Sequence, residues 1–271
     1  MTDIAVLQMT SDIAPEENAA FLADMIGAAA GEGAAMLFTP EMSGMLDRDR
    51  KRAAESIRLE DEDRVLSTVR DCSAKHGIWT CIGSLAIDTG EGIWVNRSFV
   101  VDNKGEIAAR YDKMHMFDVD LASGESWRES NAYRPGNNVV AVQTPAGRLG
   151  LAICYDLRFP ALFDALGNER CDVIAVPAAF TVPTGEAHWH VLQRARAIEA
   201  SAYLVASAQV GTHADGRQTY GHSLVIDPWG EVLVDMGDAP PGLGFAQVNP
   251  ARISEVRAQV PSLANRRELA K

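Results

Sequence analysis

The sequence predicts an α/β fold in which helices cover the faces of sheets. Apolar strand-like runs alternate with helix-like runs along the 271 residues, a pattern typical of helices packed on a sheet. Each half of the chain repeats the order strand, helix, strand, helix and then further strands. We therefore expect two similar sheets packed together. No low-complexity linker separates the halves, and the expected unit is one domain over residues 1–271.

The first half alternates strands and helices from its first residues. "DIAVLQM" predicts a buried strand, and the helix that follows opens with Pro15 and closes at Gly31 or Gly33. "AAMLFTPE" predicts a strand that ends at Glu41. "DEDRVLSTVRDCSAKHG" carries acids at its start and bases at its end, which suits a helix dipole. Strands are predicted for "IWTCIGSLAI" and "VNRSFVVDNKGEIAARYDK", the latter turning at residues 103–105.

The second half repeats the arrangement. "VVAVQTPAGRLGLAICYD" predicts a hairpin that turns at Gly147, followed by the helical segment "FPALFDALGNER". The strand "DVIAVPAAF", the helix "GEAHWHVLQRARAIEASA" and the strand "YLVASAQVG" come next. The last predicted hairpin, "TYGHSLVIDPWGEVLVD", turns at residues 227–230.

Composition excludes several classes of function. The net charge is −12, so phosphate backbones repel the chain and nucleic acid is not an expected partner. No run reaches the ~18 apolar residues of a membrane span, and the first residues lack the features of a signal peptide. We therefore expect a cytoplasmic protein. The four cysteines form no CxxC pair, which leaves zinc and thioredoxin-like chemistry without support.

One cysteine stands at a change of character in the sequence. In "LAICYDLRFP", an apolar run delivers Cys154 and then turns polar at Tyr155, Asp156 and Arg158. A cysteine that ends an apolar strand is ordinarily a small core residue. A strand-to-helix elbow, however, would expose its side chain beside backbone N–H groups that can hold an oxyanion. The polar residues after it are costly to bury unless they are used.

A cysteine nucleophile needs a base or a lowered pKa. None of the six histidines is singled out as that base, and the pair in "AHWH" is a poor metal site because positions i and i+2 of a helix point apart. Three charged residues are alternatives: Glu41 in "LFTPEMS", Lys113 in "RYDKMHMF" and Glu129 in "WRESN". Taken singly, the first and third fit ordinary loop carboxylates and Lys113 fits a solvated surface lysine.

Taken together, these segments resemble a known family. "FTPEM", "YDKMHMFD" and "LAICYDLRFP" are similar to the three catalytic motifs of the nitrilase superfamily of carbon–nitrogen hydrolases, and the resemblance spans essentially the whole chain. It implies that Glu41 is the general base, Lys113 the cationic stabiliser of the oxyanion and Cys154 the nucleophile. Glu129 matches a second, supporting glutamate through a shorter motif. The Tyr155 N–H is a plausible second oxyanion donor.

The second half resembles one branch of that family more than others. The run from "AAFTVPTGEAHWH" to "RQTYGHSLVIDPWGEVL" is similar to amidases that act on deaminated glutathione, and less similar to ω-amidases of 2-oxoglutaramate. The resemblance implies hydrolysis of a small anionic carboxamide through a cysteine thioester, without metal or organic cofactor. The alternatives are ω-amidase, N-carbamoyl hydrolase and true nitrilase; Tyr155 stands where nitrilases carry Trp. A binding module that has lost catalysis would lack one of the three motif residues.

Three residues are candidates for substrate contacts. Arg158 could fork onto a substrate carboxylate, or it could form a structural ion pair with Asp156 or another acid. Phe180 and Thr181 end a strand near the cysteine, where α/β folds bind ligands. Phe180 could wall a pocket or pack in the core, and the backbone at Thr181 could bond the substrate.

The resemblance also implies a fold and an assembly. The expected architecture is the four-layer αββα sandwich of carbon–nitrogen hydrolases. Members commonly pair, so a homodimer or higher homo-oligomer is expected, with the helices near residues 159–170 and 184–202 as candidate contacts. The small-molecule amide is the one other expected partner.

Overall fold

The computed structural model describes residues 1–120, 122, 124 and 126–267. The helices within them are α1 Pro15–Gly31, α2 Arg50–Ala54, α3 Arg64–His76, α4 Pro160–Asn168, α5 Val182–Ala200 and α6 Pro250–Gln259. The strands are β1 Thr2–Gln8, β2 Met36–Phe38, β3 Arg58–Leu59, β4 Trp79–Asp88, β5 Trp94–Val101, β6 Ile107–Asp112, β7 Asp118–Asp120, β8 Ser126–Arg128, β9 Ala141–Thr144, β10 Gly147–Leu151, β11 Val173–Ala175, β12 Tyr203–Ala206, β13 Val210–Thr212, β14 Gln218–Tyr220, β15 Leu224–Ile226, β16 Val232–Asp235 and β17 Gly242–Val248.

Local sequence signals explain where several helices begin and end. Pro15 occupies the first turn of α1, where a missing N–H costs nothing. The Asp63 side chain accepts a hydrogen bond from the Leu66 N–H at the start of α3. The same helix closes at Gly77, whose φ of 67° lies in the left-handed region that glycine adopts without strain.

Two large sheets form the centre of the molecule. The first has the strand order β17-β1-β2-β4-β5-β6, with β3 beside β4. Its strands β1, β2 and β4 are parallel, while β17, β5 and β6 pair antiparallel. The second has the order β16-β15-β12-β11-β10-β9, again with three parallel strands in the middle, β10, β11 and β12. The predicted pair of similar sheets is therefore present.

The alternation of β1 shows how the layers stack. Ala5 and Leu7 pack in a cluster with residues of α1 and α3, so that face of the first sheet is covered by helices. Ile4 and Val6 belong instead to a cluster that contains residues of the second sheet together with α4 and α5. Opposite faces of one strand thus meet a helical layer and a second sheet. The order helix, sheet, sheet, helix is the αββα sandwich that the sequence predicts.

The structure corrects one detail near the proposed nucleophile. The strand does not deliver Cys154 directly, because β10 ends at Leu151 and Cys154 opens a short 3₁₀ turn that runs to Arg158. Helix α4 begins only at Pro160. The connection between strand and helix is therefore longer than a simple elbow.

The last strand was not anticipated from the sequence. Strand β17 returns from the C-terminal part of the chain and pairs with β1 along its whole length, from Thr2↔Val248 to Gln8↔Gly242. The first sheet therefore needs residues from both ends of the chain. No helix in the described residues is long and apolar enough to cross a bilayer.

Candidate active site

The three motif residues follow strands of both sheets. Glu41 comes three residues after β2, and Lys113 directly follows β6, both in the first sheet. Cys154 comes three residues after β10 in the second sheet. The candidate site therefore forms where the two sheets face each other, and each sheet contributes part of it.

A buried lysine joins two carboxylates. Lys113 Nζ lies 2.8 Å from Glu41 Oε1 and 2.8 Å and 3.1 Å from the two carboxylate oxygens of Glu129. The Lys113 side chain is 2% exposed and that of Glu41 6%. The Phe117 N–H donates to Glu129 Oε2 at 2.7 Å, which orients the second carboxylate. The structure thus brings Glu41, Lys113 and Glu129 together.

Asn96 completes this arrangement, and no motif in the sequence points to it. Its Nδ2 donates to Glu41 Oε1 at 3.0 Å and to Glu129 Oε1 at 3.1 Å. Its backbone carbonyl accepts the Lys113 N–H at 2.9 Å. We call Glu41, Asn96, Lys113 and Glu129 the polar cluster. Asn96 is the third residue of β5, where the local sequence contains no indication of a partner 55 residues away.

The remaining oxygen of Glu41 reaches the second sheet. The Ala179 N–H donates to Glu41 Oε2 at 2.9 Å. Gln209 Nε2 donates to the Glu41 backbone carbonyl at 2.9 Å. Both oxygens of the carboxylate are therefore fixed, which holds a proton acceptor in one orientation.

Cys154 sits beside this cluster in a strained backbone. Its φ is 50°, an uncommon conformation for a residue with a side chain, and the residue is 7% exposed. Burial raises the pKa of the Cys154 thiol well above its usual range. The negative charge of Glu41 raises it further, and the positive charge of Lys113 lowers it. The resting residue is therefore a neutral thiol that needs a base.

The charge state of Lys113 is set by opposing effects. Burial acts to lower the pKa of the ammonium group, while the carboxylates of Glu129 and Glu41 raise it. The net direction is well above the ordinary value. Lys113 consequently keeps its positive charge at neutral pH.

Asp156 holds the turn that carries the cysteine. The fully buried carboxylate accepts hydrogen bonds from the Tyr111 hydroxyl at 2.7 Å, the Ile153 N–H at 2.9 Å and the His115 N–H at 3.0 Å. His115 Nδ1 lies 2.6 Å from Asp156 Oδ1. Through Tyr111 and His115, the segment around Lys113 is fastened to the turn that begins at Cys154.

An open cavity lies over these residues. It has about 970 Å³ of unfilled space, including space open to solvent, and Glu41, Lys113 and Cys154 line it together. Six of the lining side chains are cationic and three are acidic. In a chain of net charge −12, this local excess of positive charge favours an anionic ligand.

The predicted substrate residues also border the cavity. Tyr155, Arg158, Phe180 and Thr181 all line it. The ion pair considered for Arg158 with Asp156 is absent: Asp156 is paired with His115, while Arg158 Nη1 lies 3.2 Å from His188 Nδ1. Phe180 both lines the cavity and packs on the Trp189 ring at 4.8 Å, so the two alternatives for it coexist.

The backbone at Tyr155 has a free donor. In the part of the chain that the structure describes, neither a carbonyl nor a side chain accepts the Tyr155 N–H. A thiol, a fixed carboxylate, an ammonium group and a free N–H thus border one cavity. Those groups suffice chemically for nucleophilic attack on a carbonyl, with a proton acceptor and donors for the oxyanion.

Comparisons with known proteins agree with this chemistry. Residues 3–258 match the model of the family described as carbon–nitrogen hydrolase. A deaminated glutathione amidase of Yersinia enterocolitica is 37% identical over 98% of this chain and 93% of its own length. A probable hydrolase, nit2, of Schizosaccharomyces pombe is 37% identical over 97% of both chains. The crystal structure of the C. elegans NitFhit protein superposes with a TM-score of 0.90 at 35% identity, over 98% of this chain and 65% of that one.

Proposed function

Because the chain belongs to the carbon–nitrogen hydrolase family, we propose that it is an amidase that cleaves a small anionic carboxamide through a thioester on Cys154. The observation that carries the mechanism is the placement of Lys113 between the Glu41 and Glu129 carboxylates at the cavity that Cys154 lines. Deaminated glutathione is the favoured substrate. Two observations support that choice: relatives are named deaminated glutathione amidase, and cationic side chains outnumber acidic ones in the lining of the cavity.

The first half-reaction begins with proton transfer from Cys154 Sγ to Glu41. The thiolate attacks the amide carbon, and a tetrahedral intermediate forms with its negative charge on oxygen. Lys113 Nζ and the Tyr155 N–H stabilise that oxygen. Glu41 then gives its proton to the leaving amine, the C–N bond breaks and a thioester remains on Cys154.

The second half-reaction returns the enzyme to its starting state. Glu41 takes a proton from water, and the resulting hydroxide attacks the thioester carbonyl. The tetrahedral intermediate collapses, Cys154 leaves as a thiolate that regains its proton from Glu41, and the carboxylic acid departs. No redox change occurs in either half.

Protonation of Glu41 also removes one of the two negative charges that pair with the Lys113 ammonium group. At rest, Glu41 Oε1 accepts from Lys113 Nζ at 2.8 Å. Once Glu41 is neutral, that bond weakens and the ammonium group can turn to the developing oxyanion. Glu129 keeps its two bonds to Lys113 throughout, and so it holds the amine in position rather than exchanging protons.

With deaminated glutathione, the bond broken would release 2-oxoglutarate and cysteinylglycine. The leaving amine is then a peptide N-terminus. Several arginines line the cavity, and guanidinium groups suit carboxylates. We propose that Arg158 contacts one carboxylate of the substrate. Phe180 and Thr181 form the adjoining wall.

Assembly and location are part of the same proposal. We propose a homodimer in the cytoplasm. Its support is an exposed apolar set on α5 and the nearby β15–β16 turn, comprising Val191 at 62%, Ile198 at 48% and Trp229 at 49% exposure. Sedimentation velocity tests the proposed dimer, and we expect a particle with the mass of two chains.

Steady-state kinetics test the proposed activity. The panel contains deaminated glutathione, 2-oxoglutaramate, glutamine, an N-carbamoyl amino acid and a simple nitrile, each with wild type and with Cys154→Ala. We expect kcat/KM to be highest for deaminated glutathione and to vanish in the variant. Mass spectrometry of the quenched wild-type reaction should show the acyl adduct on Cys154.

Two results would overturn parts of the proposal. Turnover retained by Cys154→Ala would remove the nucleophile assignment. A higher kcat/KM for 2-oxoglutaramate would place the chain with ω-amidases, and preference for the nitrile or the carbamoyl compound would remove the amidase assignment.

A further inference from the structure

Three aromatic rings connect two arginines along the cavity. Phe117 lies between Tyr155, at a centroid distance of 5.2 Å, and Trp127, at 6.4 Å. The guanidinium of Arg158 lies 5.8 Å from the Tyr155 centroid, and that of Arg217 lies 4.7 Å from the Trp127 centroid. We call these five residues the aromatic wall. All five line the cavity, and the two cations stand at the two ends of the series of rings.

Arg158 has its charge available at one end. Its guanidinium lies 5.5 Å from the Phe180 centroid and bonds His188, a group without negative charge. In the described part of the chain it pairs with no carboxylate, because Asp156 is occupied by His115. A half-buried guanidinium held by aromatic faces is well placed to receive a planar anion.

Arg217, at the other end, also has donor groups without a full set of partners. Its side chain is 16% exposed, and its Nε is buried without a hydrogen-bond partner in the described residues. The nearest carboxylate oxygen, Asp215 Oδ2, lies 3.4 Å from Nη2. That oxygen already accepts the Arg48 N–H at 2.9 Å, and Asp215 Oδ1 accepts the Arg217 N–H at 2.9 Å. A desolvated donor without an acceptor is costly, so a ligand oxygen would satisfy it.

The loop that carries Arg217 is fixed in place. It joins β13 to β14, and β14 bridges Thr181↔Thr219 to the segment that begins α5. His213 Nε2 lies 2.8 Å from Thr219 Oγ1 inside the hairpin. Because the backbone is held by these contacts, Arg217 reaches the cavity from a rigid support rather than from a free loop.

From this geometry we propose that Arg158 and Arg217 bind two separate carboxylates, one on the acyl side and one on the leaving-group side of the scissile amide. The proposal rests on the amidase function and specifies its substrate class as a dianion. A substrate with one carboxylate would leave one guanidinium without a counter-charge. The rings between them cover the neutral middle of the substrate.

The test removes one charge at a time from both molecules. The ligands are deaminated glutathione, its C-terminal amide, and the 4-oxopentanoyl analogue in which methyl replaces the 2-oxo acid carboxylate. The variants are Arg158→Gln and Arg217→Gln. Arg134→Gln is the matched control, because Arg134 is exposed, pairs with Glu91 and lies outside the cavity lining.

We expect each cavity variant to lower kcat/KM for the full substrate by about 10- to 100-fold, mainly through KM. For each variant, kcat/KM should no longer change when one substrate carboxylate is removed, and it should still fall when the other is removed. The carboxylate whose removal has no effect should differ between the two variants. The control should match wild type on all three compounds.

Binding separates this proposal from the proposed function. Calorimetry with the Cys154→Ala protein, alone and combined with Arg158→Gln or Arg217→Gln, measures affinity for the same three compounds without turnover. If wild type fails to hydrolyse deaminated glutathione while this pattern of affinities holds, the assigned reaction fails and the two-carboxylate site stands. Equal losses on all three compounds, or both arginines responding to the same carboxylate, would refute the two-site assignment.

Discussion

The polar cluster and the aromatic wall lie on the same cavity and differ in how their polar groups are used. In the polar cluster, both carboxylates, the ammonium group and the Asn96 amide N–H are bonded to one another at 2.8–3.1 Å. In the aromatic wall, the guanidinium groups of Arg158 and Arg217 rest on rings. Arg158 pairs with no carboxylate in the described residues, and the ion pair of Arg217 with Asp215 is long, at 3.4 Å.

This difference separates two tasks. Chemistry needs groups that are already oriented before the substrate arrives, so internal bonds are an advantage in the polar cluster. Recognition needs donors that only the substrate satisfies, so unmade bonds favour binding at the wall. Substitutions in the cluster should therefore act on kcat, whereas substitutions in the wall should act on KM.

The largest effect is expected for Lys113→Ala. The change removes the cation that we propose stabilises the oxyanion, and it leaves the Glu41 and Glu129 carboxylates near each other without the ammonium group between them. We expect kcat to fall at least about 10³-fold, since one oxyanion donor alone is worth ~10²–10³. Lys75→Ala, at an exposed position, is the control in the same kinetic assay. A loss confined to KM would show that Lys113 belongs to recognition.

A smaller effect is expected for Asn96→Asp. A third carboxylate would replace the donor that now bridges Glu41 and Glu129, and repulsion between like charges would displace the Glu41 carboxylate from its present position beside Lys113. We expect kcat to fall by roughly 10²-fold at pH 7, with KM little changed.

Asn103→Asp is the matched control for that change, because Asn103 is exposed. An unchanged kcat in Asn96→Asp would mean that Asn96 has a packing role alone.

The smallest effect concerns stability at high pH. Burial raises the folded-state pKa of Cys154 above 9.0, so the folded protein holds a proton that the unfolded chain releases. This contribution to stability is complete below the pKa of the thiol in the unfolded chain, and it is lost as the pH rises from there through the pKa of the thiol in the folded protein. As the pH rises above the ordinary range of a thiol, wild type should lose more stability than Cys154→Ser, and its Tm should fall more steeply.

Differential scanning calorimetry of both proteins across that rise in pH measures the effect. Parallel decline of the two Tm curves would show that the thiol ionises in the folded protein as easily as in the unfolded chain, and the need for Glu41 as base would fall with it.

Much of the fold was predictable because its signals are local. Pro15, Gly77 and the alternating apolar runs mark elements that short-range rules describe. The pairing of β17 with β1 was not predictable, since it joins the two ends of the chain. The one-domain boundary of 1–271 stays a prediction.

The site divides in the same way. Glu41, Lys113 and Cys154 were found because three motifs point to them, and their catalytic roles remain predictions. Asn96 and Arg217 were not found, because their importance arises from partners distant in sequence. The alternative of an ion pair between Arg158 and Asp156 is not seen for a related reason: Asp156 is bonded by Tyr111 and His115, more than 40 residues away.

Shared construction of the site by both sheets has a consequence for folding kinetics. The bonds that complete it close long loops, of 72 residues between Glu41 and Lys113 and 138 residues between Glu41 and Ala179. Long loops are entropically slow to close. Neither sheet alone brings Glu41, Lys113 and Cys154 to one cavity. During refolding, recovery of enzymatic activity should therefore trail the return of secondary structure and report when the two sheets dock.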